Sequence, residues 1–177
     1  MIKRIKINSE LCNGCRICTM ACSLKKSLKF NQFNTGIWID SDDDNGTNSQ
    51  IVCRQCRNPV CVKACPAERV WKGKTPFEPP IFRDQTTGIV WLDSQKESCI
   101  GCRECLDACP FGAIRVVPED LELVKCDLCG GDPECVTFCP TGAIEFVEVT
   151  RMPYQRIPKP DVEKQGPGMD WYAHGSH

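Results

Sequence analysis

The sequence predicts an α+β fold built from a repeated unit of loop, short helix and strand, and three observations predict it. Sixteen of the 177 residues are cysteine, about one in eleven, and they fall into four quartets. Each quartet closes with a three-residue gap before its last member, and proline follows that member in three of the four. After the third and fourth quartets one string returns with a single substitution, Pro110-Phe111-Gly112-Ala113-Ile114 and Pro140-Thr141-Gly142-Ala143-Ile144, and each copy runs into β-branched residues.

The quartets are Cys12, Cys15, Cys18 and Cys22; Cys53, Cys56, Cys61 and Cys65; Cys99, Cys102, Cys105 and Cys109; and Cys126, Cys129, Cys135 and Cys139. None is left over, so the chain carries an internal repeat. Ahead of the first quartet, Ile2 to Ile7 alternates charged with β-branched residues, as a strand does. Ile37-Trp38-Ile39 reads as a strand, and Ser41 to Ser49, with its acidic run, reads as a solvated loop. Ile81-Phe82 and Ile89 to Leu92 flank a turn at Thr86-Thr87-Gly88 and predict a hairpin. Ile114 to Val117 and Ile144 to Val149 read as strands. Gly112 and Gly142 supply the turn out of a helix expected to start around the last cysteine, and Pro118-Glu119-Asp120 is a turn signal. Residues 150–177, rich in proline and glycine, predict an extended tail. Trp171 and Tyr172 in that tail suit a partner surface or a frayed terminus.

The 41% apolar share includes the cysteines, and about a third of the chain remains without them. That is thin for one conventional core, so something bound to the cysteines must supply the rest. No stretch approaches the ~18 apolar residues of a membrane span. The alternating start reaches Cys12 with no room for a signal peptide's apolar segment, which predicts a reducing, cytoplasmic setting where sixteen thiols persist as metal ligands rather than disulfides. Export alongside a signal-bearing partner stays open.

Three thiolates at i, i+3 and i+6 can hold three corners of one [4Fe-4S] cube, while the fourth, beyond its gap, reaches a neighbouring cube. The first and third quartets match this bacterial two-cluster spacing without insertion. The second and fourth widen one interval, at residues 57–60 and 130–134. The competing reading is four zinc sites, but zinc takes paired knuckles and does not call for three close thiols plus a recurring Cys-Pro. His174 and His177 are the sole histidines, and no nucleophile–base constellation can be assembled, so the chain is expected not to be an enzyme by itself. The cysteine spacing is also wrong for radical chemistry on S-adenosylmethionine. The formal charge is −1, and four cubes, each about −2 with its thiolates, carry it to roughly −9, which argues against nucleic acid as a partner.

Cys53-Arg54-Gln55-Cys56 with Pro59-Val60-Cys61 and Ala64-Cys65-Pro66, and Cys99-Ile100-Gly101-Cys102-Arg103 with Cys109-Pro110-Phe111-Gly112, are shared pieces. On them, residues 1 to about 149 resemble the four-cluster electron-transfer subunits of molybdopterin and tungstopterin oxidoreductases. The fourth motif departs from that family's usual long interval, with only five residues between Cys129 and Cys135. In this it looks more like the small iron-sulfur subunits paired with tungsten enzymes of the aldehyde oxidoreductase family, including aldehyde oxidoreductases and class II benzoyl-CoA reductases.

The resemblance implies a double bacterial-type ferredoxin. One ferredoxin-like domain is formed by 1–22 and 120–149, a second by 23–119 inserted in it, and 150–177 is a tail. It implies four [4Fe-4S] clusters, held by Cys12, Cys15, Cys18 and Cys139; by Cys22, Cys126, Cys129 and Cys135; by Cys53, Cys56, Cys61 and Cys109; and by Cys65, Cys99, Cys102 and Cys105. The strand ahead of quartet one would then lie beside the strand after quartet four. A plain tandem pairing, one with two and three with four, is the alternative. The implied partners are a larger tungsten- or molybdenum-pterin catalytic subunit and, past it, a further electron donor or acceptor. A freely diffusing polyferredoxin and a zinc-stabilised interaction module are the other readings.

Overall fold

The alternating start forms strand β1, Ile2–Ile7, and it pairs antiparallel with the last strand, β8, Ile144–Val149, in the register Ile7↔Ile144 and Ile5↔Phe146. The two ends of the cysteine-bearing chain are thus tied together. The computed structural model describes residues 2–42, 44–71 and 77–149. The tail, with Trp171, Tyr172, His174 and His177, lies outside the described residues. Because side chains alternate across a strand, Ile5 enters the core below while Arg4, on the opposite face, is buried toward the middle of the chain. The cross-strand pair Lys6–Glu145, 2.9 Å apart, is more than half exposed at both ends and contributes under ~1 kcal/mol.

Between these strands the chain makes α1 (Ile17–Ser27), β2 (Ile37–Asp42), β3 (Thr47–Val52), α2 (Val60–Ala64), α3 (Ala67–Val70), β4 (Ile81–Arg83), β5 (Val90–Leu92), α4 (Glu104–Asp107), β6 (Ile114–Val116), β7 (Leu123–Lys125) and α5 (Glu134–Thr137). β2 pairs with β3, β4 with β5 and β6 with β7, all antiparallel, so four two-stranded ribbons carry the fold. The hairpin expected around residues 86–88 and the turn at 118–120 both form. Among the described residues no helix is long and apolar enough to cross a membrane.

Two sequence expectations are corrected. Ser41 to Ser49 is not a free loop: β2 and β3 run into it and close a hairpin. Asp42 accepts from the Asp44 and Asn45 N–H groups, and Ser41 bonds Asn48 at 2.9 Å. No helix starts at Cys109 or Cys139 as expected, whereas α3, with Pro66 as its N-cap, does begin just past Cys65. α2, α4 and α5 end at or just before Cys65, Cys109 and Cys139, because the proline that follows cannot continue a helix. Where serine replaces that proline, α1 runs through Cys22 to Ser27. Buried Ser23 then ties its end, donating to the Lys29 carbonyl and accepting from the Asn31 N–H.

Two apolar cores result, and cysteines sit in both. One gathers Ile5, Ile37, Val52, Ile89, Leu128 and Ile144 with Cys18, Cys22, Cys126 and Cys135. The other gathers Ile81, Val90, Ile114 and Leu123 with Cys61 and Cys105. The β2–β3 hairpin packs into the first core and β7 contributes Leu123 to the second.

Candidate metal centres

Each cysteine loop turns through a left-handed residue just before its second cysteine: Gly14, Gln55, Gly101 and Leu128, with φ between +50° and +72°. Glycine adopts this without strain, whereas another residue costs about 1 kcal/mol there. Gln55 and Leu128 are held in it by complete burial. Gln55 accepts from the Val90 N–H and donates to the Cys126 carbonyl, both at 2.8 Å, so one side chain clamps the second cysteine loop to the fourth and to β5. Gln55→Ala leaves both groups buried without a partner. A loss of roughly 3 kcal/mol is expected, read as a lower urea midpoint.

The folded chain brings the sixteen thiols into four groups. Cys12, Cys15, Cys18 and Cys139 line one hollow. Cys53, Cys56, Cys61 and Cys109 line a second, and Cys65, Cys99, Cys102 and Cys105 a third. The fourth group is seen from Cys135, which lies within electrostatic reach of Cys126, Cys22 and Cys129. In the order just given these are called the first, second, third and fourth sites. Every last cysteine of a quartet sits with the triplet of a different quartet. The thiols of quartets one and four thus lie together, and so do those of two and three.

The sites form a line. Cys135 of the fourth is also near Cys18 of the first, Cys126 of the fourth is near Cys53 of the second, and Cys105 of the third is near Cys61 of the second. The order is therefore first, fourth, second, third. Of the sixteen cysteines Cys15 and Cys102 alone are exposed, and they belong to the two ends of the line.

Burial dominates the chemistry of these thiols. It pushes Cys18 and Cys61 up to about 11 and Cys105 and Cys126 up to about 12, and raises Cys135 further. Neighbouring thiols push the same way. Such groups stay neutral unless a cation takes the place of the proton, as a coordinating metal does. Backbone donors nevertheless point at sulfur: the Gly36 N–H reaches Cys22 Sγ at 3.2 Å and the Leu128 N–H reaches Cys126 Sγ at 3.4 Å. At Cys139 desolvation is the largest single effect, but the Ile144 N–H, the Thr141 hydroxyl and the Thr141 and Ala143 N–H groups together outweigh it, so its thiol is lowered.

The cations are arranged for an anionic guest. Arg4 donates to the Arg54 carbonyl, and its Nε and that of Arg83 have no hydrogen-bond partner among the described residues. Buried charge without a carboxylate is costly unless another anion answers it. Four thiolates around an iron-sulfur cube, about −2 in sum, are that anion. The thiols also stand around hollows rather than at a point: among the described residues no three His, Cys, Asp or Glu side chains close on a single-ion position. The donor set fits a [4Fe-4S] cube, which would supply one-electron chemistry. Residue type and spacing locate the thiols. They do not locate Arg4, Gln55, Lys125 or Gly36, whose roles come from contacts distant in the chain, such as those of Gln55 and Lys125 with Val90, 35 residues away from each.

Four interlocked thiol groups on short loops, helices and two-stranded ribbons define a small α+β ferredoxin-like dicluster protein. The chain belongs to the 4Fe-4S dicluster domain family, which matches residues 48–149, and a 4Fe-4S binding domain matches residues 9–26. It is similar to a tetrathionate reductase subunit from Archaeoglobus fulgidus, 34% identical over 70% of this chain and 53% of that one. It is similar also to the probable anaerobic dimethyl sulfoxide reductase chain YnfG of Escherichia coli (33%; 70% and 59%) and to the formate dehydrogenase-O iron-sulfur subunit of Escherichia coli (34%; 70% and 43%). The chain thus spans about half the length of these relatives. Among solved structures, the active site complex BamBC of benzoyl coenzyme A reductase aligns with 82% of this chain and 79% of that one, at 20% identity and a TM-score of 0.45.

Proposed function

We propose that the chain is an electron-transfer subunit holding four [4Fe-4S] clusters, with no catalysis of its own, which relays single electrons to or from a larger catalytic subunit. The observation that carries this is the line of four thiol groups whose two ends alone present an exposed cysteine. A relay needs neighbouring carriers inside and access at both ends, and the arrangement offers both. The relatives' names, each a subunit or chain of a reductase or dehydrogenase, support assembly with a catalytic partner. The domain reading is two interlocked ferredoxin-like units, 1–22 with 120–149 and 23–119 between, followed by the tail 150–177.

The finer reading is a tungsten- or molybdenum-pterin partner of the aldehyde oxidoreductase or benzoyl-CoA reductase type, in the cytoplasm. The compact interval between Cys129 and Cys135 supports it. In this reading the chain's residues set the donors around each cube: N–H groups on sulfur, buried apolar walls, and cations near the second site. Anaerobic reconstitution with iron and sulfide analysis tests the proposal. About sixteen irons per chain are expected; about four, or zinc in place of iron, would overturn it. A native pull-down is expected to return a large tungsto- or molybdoprotein, and the chain alone would point to a free polyferredoxin.

The interlocking makes a specific prediction. Cys109→Ser removes a ligand from the site of Cys53, Cys56 and Cys61 and leaves its own triplet complete. Iron is expected to fall by about a quarter, with the lost electron paramagnetic resonance (EPR) component matching that lost in Cys56→Ser and not that lost in Cys102→Ser.

A further inference from the structure

The four sites do not stand in equal electrostatic surroundings. Around the second site three cations meet. Arg54 and Lys125 line its wall. Arg4, 5% exposed, donates to the Arg54 carbonyl and feels Cys56 and Cys53. Lys125, 3% exposed, is fixed by the carbonyls of Val90 and Cys126. Arg54 stacks toward the Phe111 ring, its guanidinium carbon 5.9 Å from the centroid. None of the three is in an ion pair among the described residues.

Elsewhere the charge is cancelled or screened. Near the fourth site Lys26 and Lys25 are paired with Asp127 at 2.7 Å and Glu134 at 3.0 Å. Arg16, on the rim of the first site, is exposed to water, and Arg103 alone among cations lines the third. No cation is among the charges that bear on Cys18, Cys65 and Cys105, whereas at the second site, behind the neighbouring thiols, Arg4 bears on Cys56 and Lys125 on Cys61.

We propose that Arg4, Arg54 and Lys125 form a cationic cradle that makes the second site the first of the four to take up an electron. The inference deepens the four-cluster relay proposed above and rests on it. Reducing a cube adds one negative charge to a group already near −2, and unpaired buried cations favour the added charge most where water screens least. The electron would then rest inside the line, between the fourth and third sites, rather than at an exposed end. These three are positioning residues; they tune the carrier without binding iron.

The test is an anaerobic redox titration of the full, iron-loaded chain followed by EPR, with Cys109→Ser marking which component belongs to the second site. That component is expected to have the highest potential. Arg54→Gln and Arg4→Gln should each lower it at least tenfold in reduction equilibrium constant, about 59 mV for one electron, and leave the other three in place. Lys125→Gln should lower it too and, because Lys125 also faces Cys126, shift the fourth site by less; Lys125→Arg should restore both. Should Lys125→Gln fail to fold, Arg54→Gln, at a partly buried residue, decides alone. A different component at the top, or an unmoved second-site potential in Arg54→Gln with full iron, overturns the proposal. Iron far below sixteen per chain instead strikes the four-cluster reading beneath it.

Discussion

Stripping the clusters anaerobically with a chelator is expected to abolish the protein's cooperative thermal transition and most of its circular dichroism. The described structure has little else to hold it. Four of its five α-helices span five residues or fewer, well below the length at which a helix is stable by itself. Its sheets are isolated two-stranded ribbons, which are marginal in water. Four of the ten buried residues of one core and two of the six of the other are cysteines. In the proposed reading those thiols hold the clusters, and cluster binding is then folding free energy. A cluster-free sample that keeps a native-like spectrum and a sharp transition would contradict this.

The alkaline side should be the weakest for any fold the stripped chain retains. A thiol whose folded value is raised by burial holds its proton more tightly folded than unfolded. Its contribution is complete below the ordinary value near 9 and is lost as pH climbs through the folded values of about 11 at Cys18 and Cys61 and about 12 at Cys105 and Cys126. Iron loading removes that proton, so the loaded protein should lack this alkaline decline. Chemical denaturation at pH 8 and pH 10, with and without clusters, separates the two.

What could be read in advance was what residue type and spacing encode. Sixteen thiols in four quartets locate their groups because ligand chemistry tolerates no substitute, and Ile2 to Ile7 with Ile144 to Val149 announce a ribbon through their β-branched pattern. The β2–β3 hairpin was hidden because its outer half is Asp42, Asn45, Thr47 and Asn48, polar residues that read as loop. Its burial is concentrated at the base, at Ile37 and Val52. Arg4 was hidden for the opposite reason. A charge in an alternating strand reads as solvent-facing, and only the second cysteine loop, whose Arg54 carbonyl it meets, makes it internal. Lys125 sits in a strand buried on both faces, and its Val90 carbonyl partner lies 35 residues away. Gln55 and Leu128 stand where glycine serves in the other two repeats, and burial, a tertiary property, holds them there.

Gly36→Ala should be among the most damaging single substitutions outside the cysteines, although nothing in the local sequence marks this glycine. A Cβ there would stand 2.6 Å from both the Cα and the N of Cys126 and 2.8 Å from the Lys125 carbonyl carbon. All three are backbone atoms, so no flexible side chain can yield. The same residue donates its N–H to Cys22 Sγ, which places two members of the fourth site, Cys22 and Cys126, on either side of one contact. Relieving the clash must move β2 away from the end of β7, and that motion draws Cys22 from Cys126. The expected result is a loss of about 3 kcal/mol, together with about a quarter of the iron. Gly46→Ala provides the comparison. Gly46 has φ +64 in the β2–β3 turn with open space beside it, so its replacement should cost only about 1 kcal/mol of backbone strain and no iron. Iron content and urea midpoints of the two variants decide the matter. If Gly36→Ala retains full iron and a midpoint like that of Gly46→Ala, the close approach of β2 to Cys126 does not hold the fourth site together.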